Sequence, residues 1–263
     1  MKSITSSANP TFRAWLRLAT QPRSARSQRR ALAEGLHLAQ AALEARAPIE
    51  AVLLRRGARD PATEPVLAAA TAAGASGYEL TPALFDRLSP VEHGAGVLLV
   101  VGLSEAPLPA GAAHDLVYLD GVQDPGNAGA LLRTAAAAGV REVLAGPTTA
   151  ALWAPKTLRA AQGAHFRLRL REQVAVEELP AALDGPWFGA DARGGRPLWS
   201  VTMPAGALGW IFGAEGSGLS AAARATCQTL VSVPIDSAVE SLNVAAAAAI
   251  CLFERRRRSS PSP

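Results

Sequence analysis

The chain has 263 residues, 49% of them hydrophobic and 18% charged, with 57 alanines. That leaves room for one large or two small domains, predicts a helix-rich globular protein with few aromatic core anchors, and excludes disorder throughout. The formal net charge is +4. The longest apolar run, Val244 to Phe253, falls short of the ~20 residues that span a bilayer, and no apolar core follows the N-terminus, so neither a membrane span nor a secretory signal is expected and the compartment is read as cytoplasmic.

The first elements are strongly basic. Residues 1 to 30 hold Lys2, Arg13, Arg17, Arg23, Arg26, Arg29 and Arg30 and no acid. After Asn9-Pro10 a helix is predicted over Thr11 to Ala19, then a second over EGLHLAQAALEA, whose Leu36, Leu38, Ala39 and Leu43 suit one face. Strands are predicted at Ala51 to Leu54 and Val97 to Val101, with an alanine-rich helix near Val66 to Ala73 between them. The stretch Glu105 to Ala113 carries two prolines and a glycine and loses all periodicity. It is read as a linker, which gives domains over 1–105 and 114–263 joined by 106–113.

Beyond it strand and helix signals alternate. Strands are predicted at 116–120, 142–145, 166–170, 186–190, 208–213 and 230–235, and helices at 127–138, after Pro155, near 176–183, after Ser220 and over Leu242 to Arg257. This alternation predicts an α/β fold with a mostly parallel sheet covered on both faces. Ligands of such sheets sit beyond the carboxyl ends of the strands, so the informative residues are expected in loops that follow strands. The last helix closes on Arg255, Arg256, Arg257 and Arg258, and 24 of the 26 basic residues are arginine, whose planar fork suits phosphate. Nucleic acid is therefore a plausible partner, although solvated basic tails would have the same composition. Cys227 and Cys251 fit no disulfide or zinc pattern and read as buried thiols, and His37, His93, His114 and His165 show no metal-ligand spacing.

Three loops carry chemical character. In DGVQDPGNAGALLRTAAAAGV (120–140) Asn127 can cap the following helix, and Arg133 lies six residues on, placed to share a loop face with it. In WIFGAEGSGLS (210–220) an apolar strand runs into glycines around one carboxylate, Glu215, without the lysine of a Walker loop or a GxGxxG pattern. In VPIDSAVESLNVAAAAAICLFE (233–254) Ser241 can cap an alanine-rich helix whose first turn holds Leu242 and Asn243.

The order and content of these loops resemble the SpoU or TrmH-type RNA ribose 2'-O-methyltransferases of the SPOUT class. DPGNAGALLRTAAAAGV, IFGAEGSGLS and PIDSAVESLNVAAAAAICLFE match the three family motifs in order, and APKTLRAAQGAHFRL (154–168) extends the match. The N-terminal part, with EGLHLAQAALEA and HGAGVLLVV, is more loosely similar to the RNA substrate-binding domain often attached to these enzymes. The resemblance implies a SPOUT-type sheet whose C-terminal segment is threaded into a trefoil knot, a homodimer, and S-adenosylmethionine held at Gly189, Gly213, Glu215, Gly218, Ile235, Ser241, Leu242 and Asn243. It makes Arg133 the activator of a ribose 2'-hydroxyl, with Asn127, Glu215 and Asn243 orienting the reacting groups, and it requires no metal because the methyl donor carries its own leaving group.

Two positions depart from the common family pattern, Ala214 where asparagine often stands and Ala161 where serine is common. A separate substrate domain favours ribosomal over transfer RNA. The alternatives are the same activity on transfer RNA, a non-catalytic RNA-binding or assembly protein on the same scaffold, and, more weakly, a nucleotide-binding α/β enzyme.

Overall fold

The computed structural model describes residues 1–58, 61–89, 91, 94–104 and 107–259. His93 and the first residues of the expected linker, Glu105 and Ala106, lie outside the described residues. The chain divides into two compact units, one of residues 1–104 and 153–166, the other of 105–152 and 167–263.

The first unit runs β1 (Lys2–Ile4), α1 (Pro10–Thr20), α2 (Ser24–Gln28), β2 (Arg30–Glu34), α3 (Leu36–Glu44), β3 (Ile49–Arg55), α4 (Glu64–Ala72), β4 (Ser76–Leu80), α5 (Pro82–Leu88) and β5 (Val97–Gly102). Its mixed sheet has the order β1-β4-β3-β5-β2. The apolar runs of β3 and β5 are buried and sit inside the sheet. Asn9 starts α1: its side chain accepts from Thr11 N at 2.9 Å and Phe12 N at 3.2 Å, and Pro10 occupies the first turn, where no N–H is missed. Phe12, Trp15 and Leu18 then bury one stripe of the helix.

The second unit contains β6 (Leu116–Asp120), α6 (Pro125–Ala138) and β7 (Glu142–Ala145). The chain then gives α7 (Pro155–Ala161) to the first unit, where Leu158 is wholly buried in the core and Arg159 pairs with the buried Glu34 at 3.1 Å. It resumes with β8 (Arg169–Glu172), α8 (Leu179–Ala182), β9 (Trp187–Ala190), β10 (Arg196–Pro197), β11 (Gly209–Gly213), α9 (Ala221–Thr226), β12 (Thr229–Ser232) and α10 (Val244–Ser259). The sheet order is β10-β12-β9-β11-β6-β7-β8, and every described pairing in it is parallel. The α/β architecture expected from strand and helix alternation is the one observed.

Local boundaries differ for identifiable reasons. FRLRL, read as a strand, begins in a 3-10 turn (Ala164–Arg167), and pairing starts only at Arg169. The helix expected near 176–183 is a 3-10 turn followed by a single α turn, interrupted by Pro180. β12 ends at Ser232, before Pro234.

The arginine run at the end of α10 is a larger correction, because it is mostly consumed inside the fold. Arg255 is buried; it grips Asp115 through Nε at 2.9 Å and Nη2 at 3.0 Å and donates to the carbonyls of Pro204 and Gly206. Arg256 donates to Ala137 O at 2.7 Å and Arg258 to Val201 O at 2.6 Å, while Arg257 and Arg258 both hold Glu254, pulling its carboxyl down to about 2. These side chains fasten the helix to its surroundings rather than forming a solvated basic tail.

Candidate active site

The carboxyl ends of β9, β11 and β12 lie side by side, with Phe212 in register with Ala190 and Ala190 with Val231. Just beyond them is a cavity of about 280 Å³. Phe212, Val231 and Val233 give it an apolar floor, and three loops wall it: Ala190 to Ala192 after β9, Gly213 to Gly218 after β11, and Ile235 with Ser241 to Asn243 before α10. Gly213, Glu215, Gly218, Ile235, Ser241, Leu242 and Asn243, all singled out in the sequence, therefore line one space.

The glycine loop closes on itself. Ala214 N donates to Gly218 O at 3.0 Å, Gly218 N returns the bond to Ala214 O at 2.9 Å, and Gly218 adopts φ +70. A Cβ on Gly213 would overlap the backbone of Gly218 and Leu219. Gly213→Ala is therefore expected to push this turn out of place, weakening binding in the cavity at least tenfold by calorimetry while the circular dichroism spectrum is retained; unchanged affinity would remove the close approach as a requirement. Gly189 needs a correction. It does not line the cavity; it is buried within the sheet, where a Cβ would meet Leu219 Cδ1 at 2.6 Å and Cys227 Sγ at 2.7 Å. Its lack of a side chain serves packing behind the wall, and Ala190 is the residue that reaches the space.

A directed chain of hydrogen bonds joins all three motif loops at the rim. Asn127 Nδ2 donates to Glu215 Oε1 at 2.9 Å, Asn243 Nδ2 donates to Asn127 Oδ1 at 2.9 Å, and Asn243 Oδ1 accepts from Ala245 N at 2.9 Å and Ala246 N at 3.3 Å. Burial pushes the Glu215 carboxyl up, but the Asn127 amide together with backbone N–H groups, including those of Gln123 and Asp124, outweighs it and holds the group below its ordinary value. Two capping assignments change as a result. Asp124, not Asn127, caps α6, accepting from Asn127 N at 2.8 Å with Pro125 behind it, which frees the Asn127 side chain for the chain above. Asn243, not Ser241, caps α10.

Arg133 stands apart from this cluster. Six helical residues advance about 600°, leaving Asn127 and Arg133 roughly 120° apart around α6 rather than on one face. Arg133 is exposed, does not line the cavity and has no hydrogen-bond or ion-pair partner among the described residues.

Sequence reasoning missed Asp191, the first residue after β9. It lines the cavity, and its carboxylate accepts from Arg193 N at 3.0 Å and is paired with Arg224, so it fixes the turn that forms one wall. The rule that ligands gather beyond strand ends pointed at this position, but a lone aspartate among glycines and arginines offered no motif. Asp120, at the end of β6, likewise accepts from Ser220 N at 2.6 Å and ties the first loop to α9. Ala214 stays on the cavity wall and brings no side-chain polar contact. No cluster of metal-ligating side chains occurs among the described residues, and burial pushes both the half-buried Cys227 and the buried Cys251 thiol up to about 12.

Comparison with known proteins agrees with this geometry. The model of the SpoU rRNA methylase family matches residues 115–253, and that for RNA 2'-O ribose methyltransferase substrate binding matches residues 32–107. The 23S rRNA (guanosine(2553)-2'-O)-methyltransferase RlmP of Bacillus subtilis is 31% identical over 97% of this chain and 100% of its own. The 23S rRNA (guanosine-2'-O-)-methyltransferase RlmB of Salmonella typhimurium is 32% identical over 85% of this chain and 97% of its own. Among solved structures, an AdoMet-bound rRNA methyltransferase from Sinorhizobium meliloti matches with a TM-score of 0.85 at 25% identity, covering 99% of both chains. A chain with this sheet, this cavity and these motifs belongs to the SpoU rRNA methylase family.

Proposed function

We propose that the protein transfers a methyl group from S-adenosylmethionine to a ribose 2'-hydroxyl of 23S ribosomal RNA, acting in the cytoplasm as a homodimer with residues 1–105 binding the RNA and residues 114–263 carrying the chemistry. The observation that carries this reading is the hydrogen-bond chain from Glu215 through Asn127 to Asn243, which gathers the three motif loops at the mouth of one cavity.

The cavity suits the methyl donor. Its apolar floor accepts a purine, the backbone of the 213–218 turn is open to close approach, and the carboxylates of Asp191 and Glu215 favour a cationic ligand. When bound there, S-adenosylmethionine supplies a methyl group on a sulfonium leaving group. The protein's task is then to hold the acceptor oxygen in line and to stabilise the charge that grows on it. Asn127 and Asn243 present oriented amides at the rim. A guanidinium offers donors and no acceptor, so Arg133 acts by stabilising the developing alkoxide or gripping the neighbouring phosphate rather than as a base.

Because Arg133 lies off the cavity of its own chain, we assign it to the site of the partner protomer. Exposed Trp199, Val239 and Phe253 on the same unit offer apolar surface for a second copy. The trefoil threading belongs to this reading too; its support is that loops at 190–192, 213–218 and 235–243 wall a single space.

Mass spectrometry of RNA from a strain lacking the protein is expected to show one ribose methyl missing from 23S rRNA. A loss confined to transfer RNA would move the substrate, and unchanged RNA with no S-adenosylmethionine binding would end the proposal. The Glu215 carboxylate gives a pH signature. Its folded value lies below the unfolded one, so its hydrogen bonds stabilise the fold at neutral pH and that contribution disappears as pH falls below about 4. Glu215→Gln should therefore lower the melting temperature at pH 7 more than near pH 4, and a deficit that does not shrink in acid would contradict the assignment.

A further inference from the structure

We propose that the outer face of α1, α2 and the residue closing α2 is a phosphate-binding surface for the RNA substrate, built from Arg13, Arg17, Arg23, Arg26 and Arg29. This rests on the reading that RNA is the substrate, and it concerns residues 13–29, which precede the 32–107 stretch matched by the substrate-binding family model.

The helices dictate where these side chains point. In α1 the buried stripe is Phe12, Trp15 and Leu18, and Arg13 and Arg17, one turn apart, fall on the opposite side at about 100° per residue. In α2 Ser24 and Ala25 turn inward, leaving Arg26 and the N-cap residue Arg23 outward. The two helices are fastened together by Ser24 Oγ, which donates to Arg17 O at 2.8 Å. All five arginines are exposed.

Pairing distinguishes them from four of the other described arginines of the same unit; Arg46 and Arg87 also lack an acidic partner among the described residues, Arg87 lying over the Phe12 ring at 5.5 Å. Arg30 is held by Glu50 at 2.6 Å, Arg55 by Asp86 at 3.0 Å, Arg56 by Glu79 at 3.2 Å and Arg159 by Glu34 at 3.1 Å. Arg13, Arg17, Arg23, Arg26 and Arg29 have no hydrogen-bond or ion-pair partner for their guanidinium groups among the described residues, and no acid occurs in residues 1–30. Like charges concentrated without counter-charges disfavour the free fold and suit a polyanion. Arg29 closes α2 in the left-handed region at φ 52, which ends the helix and leaves its side chain exposed. The unpaired planar forks can each take two phosphate oxygens, and a helix face reading only backbone charge positions RNA without selecting its sequence.

The test is a triple variant, R13Q/R17Q/R26Q, compared with wild type in binding to a 23S rRNA transcript across a salt series. Three lost phosphate contacts should lower the slope of log affinity against log salt by about 2 to 3 and weaken binding on the order of tenfold or more at low salt. KM for RNA should rise with kcat and S-adenosylmethionine affinity unchanged, and R13K/R17K/R26K should restore the slope. An unchanged slope with intact methyl transfer overturns the surface. So does an RNA affinity that stays constant while binding to phosphatidylserine vesicles is lost. If the glutamine variant does not fold, the lysine variant against single R17Q decides by the same slope. Wild-type protein that binds the transcript without methylating it would overturn the functional reading and leave this surface standing; wild-type protein that does not bind it overturns both.

Discussion

Arg133→Ala should lower methyl transfer by on the order of 100-fold to 1,000-fold, the cost of removing one preorganised donor from a developing oxyanion, while S-adenosylmethionine still binds. The expectation follows from a guanidinium that is exposed, displaced around α6 from the Asn127 amide and without a hydrogen-bond or ion-pair partner among the described residues. Mixing separates action within a chain from action across a dimer. Arg133→Ala and Gly213→Ala chains, each deficient alone when assayed at S-adenosylmethionine well below saturation, should regain roughly one working site in four on subunit exchange if the arginine serves the partner's cavity, because half of the sites in the mixed dimers then hold both intact parts. No recovery would place the arginine in the service of its own chain. Full activity of Arg133→Ala alone would remove it from the mechanism.

Arg255→Ala should destabilise the fold by about 3 to 5 kcal/mol, lowering the melting temperature on the order of 10 °C. The side chain is buried, forms a two-pronged pair with Asp115 and satisfies the carbonyls of Pro204 and Gly206, and Asp115 Oδ1 in turn accepts from Leu208 N at 2.9 Å. Removing it strands a carboxylate and two carbonyls at once. Two residues later, the Arg257 side chain is 71% exposed and, among the described residues, pairs only with Glu254, so Arg257→Ala should stay within about 0.5 kcal/mol of wild type. Equal losses in the two variants, followed by denaturant titration, would show that the run acts through net charge instead of through the Asp115 anchor.

The alternation of apolar runs with helical stretches was enough to place the parallel sheet, because strands covered on both faces are nearly continuous hydrophobic segments, as in LVYLD and GWIFG. β2 and β4 escaped notice: RALAE mixes charge into an antiparallel strand, and SGYEL pairs with β1 and β3 without an apolar run. At the site, glycine placement identified the turn at 213–218, while the roles of Asn127 and Asn243 required coordinates. Each asparagine satisfies the composition of a cap, and only the competition with Asp124 at one helix and Ser241 at the other decides which side chain is left to reach across. The basic ends illustrate the same limit. Seven bases near one terminus and four arginines near the other both read from composition as basic ends, yet the first set faces outward mostly unpaired and the second is largely spent on carbonyls and acids.

The rim chain has a polarity that a neutral network would lack. Glu215, ionised, can only accept, which compels Asn127 to offer its amide nitrogen there and its oxygen to Asn243; Asn243 must then turn its own oxygen toward the first turn of α10. One negative charge thus sets the rotamer of two remote amides. Isosteric exchange of asparagine for aspartate, ordinarily among the mildest of changes, becomes the harshest here, since at 127 it swaps a donor for a second carboxylate facing the first.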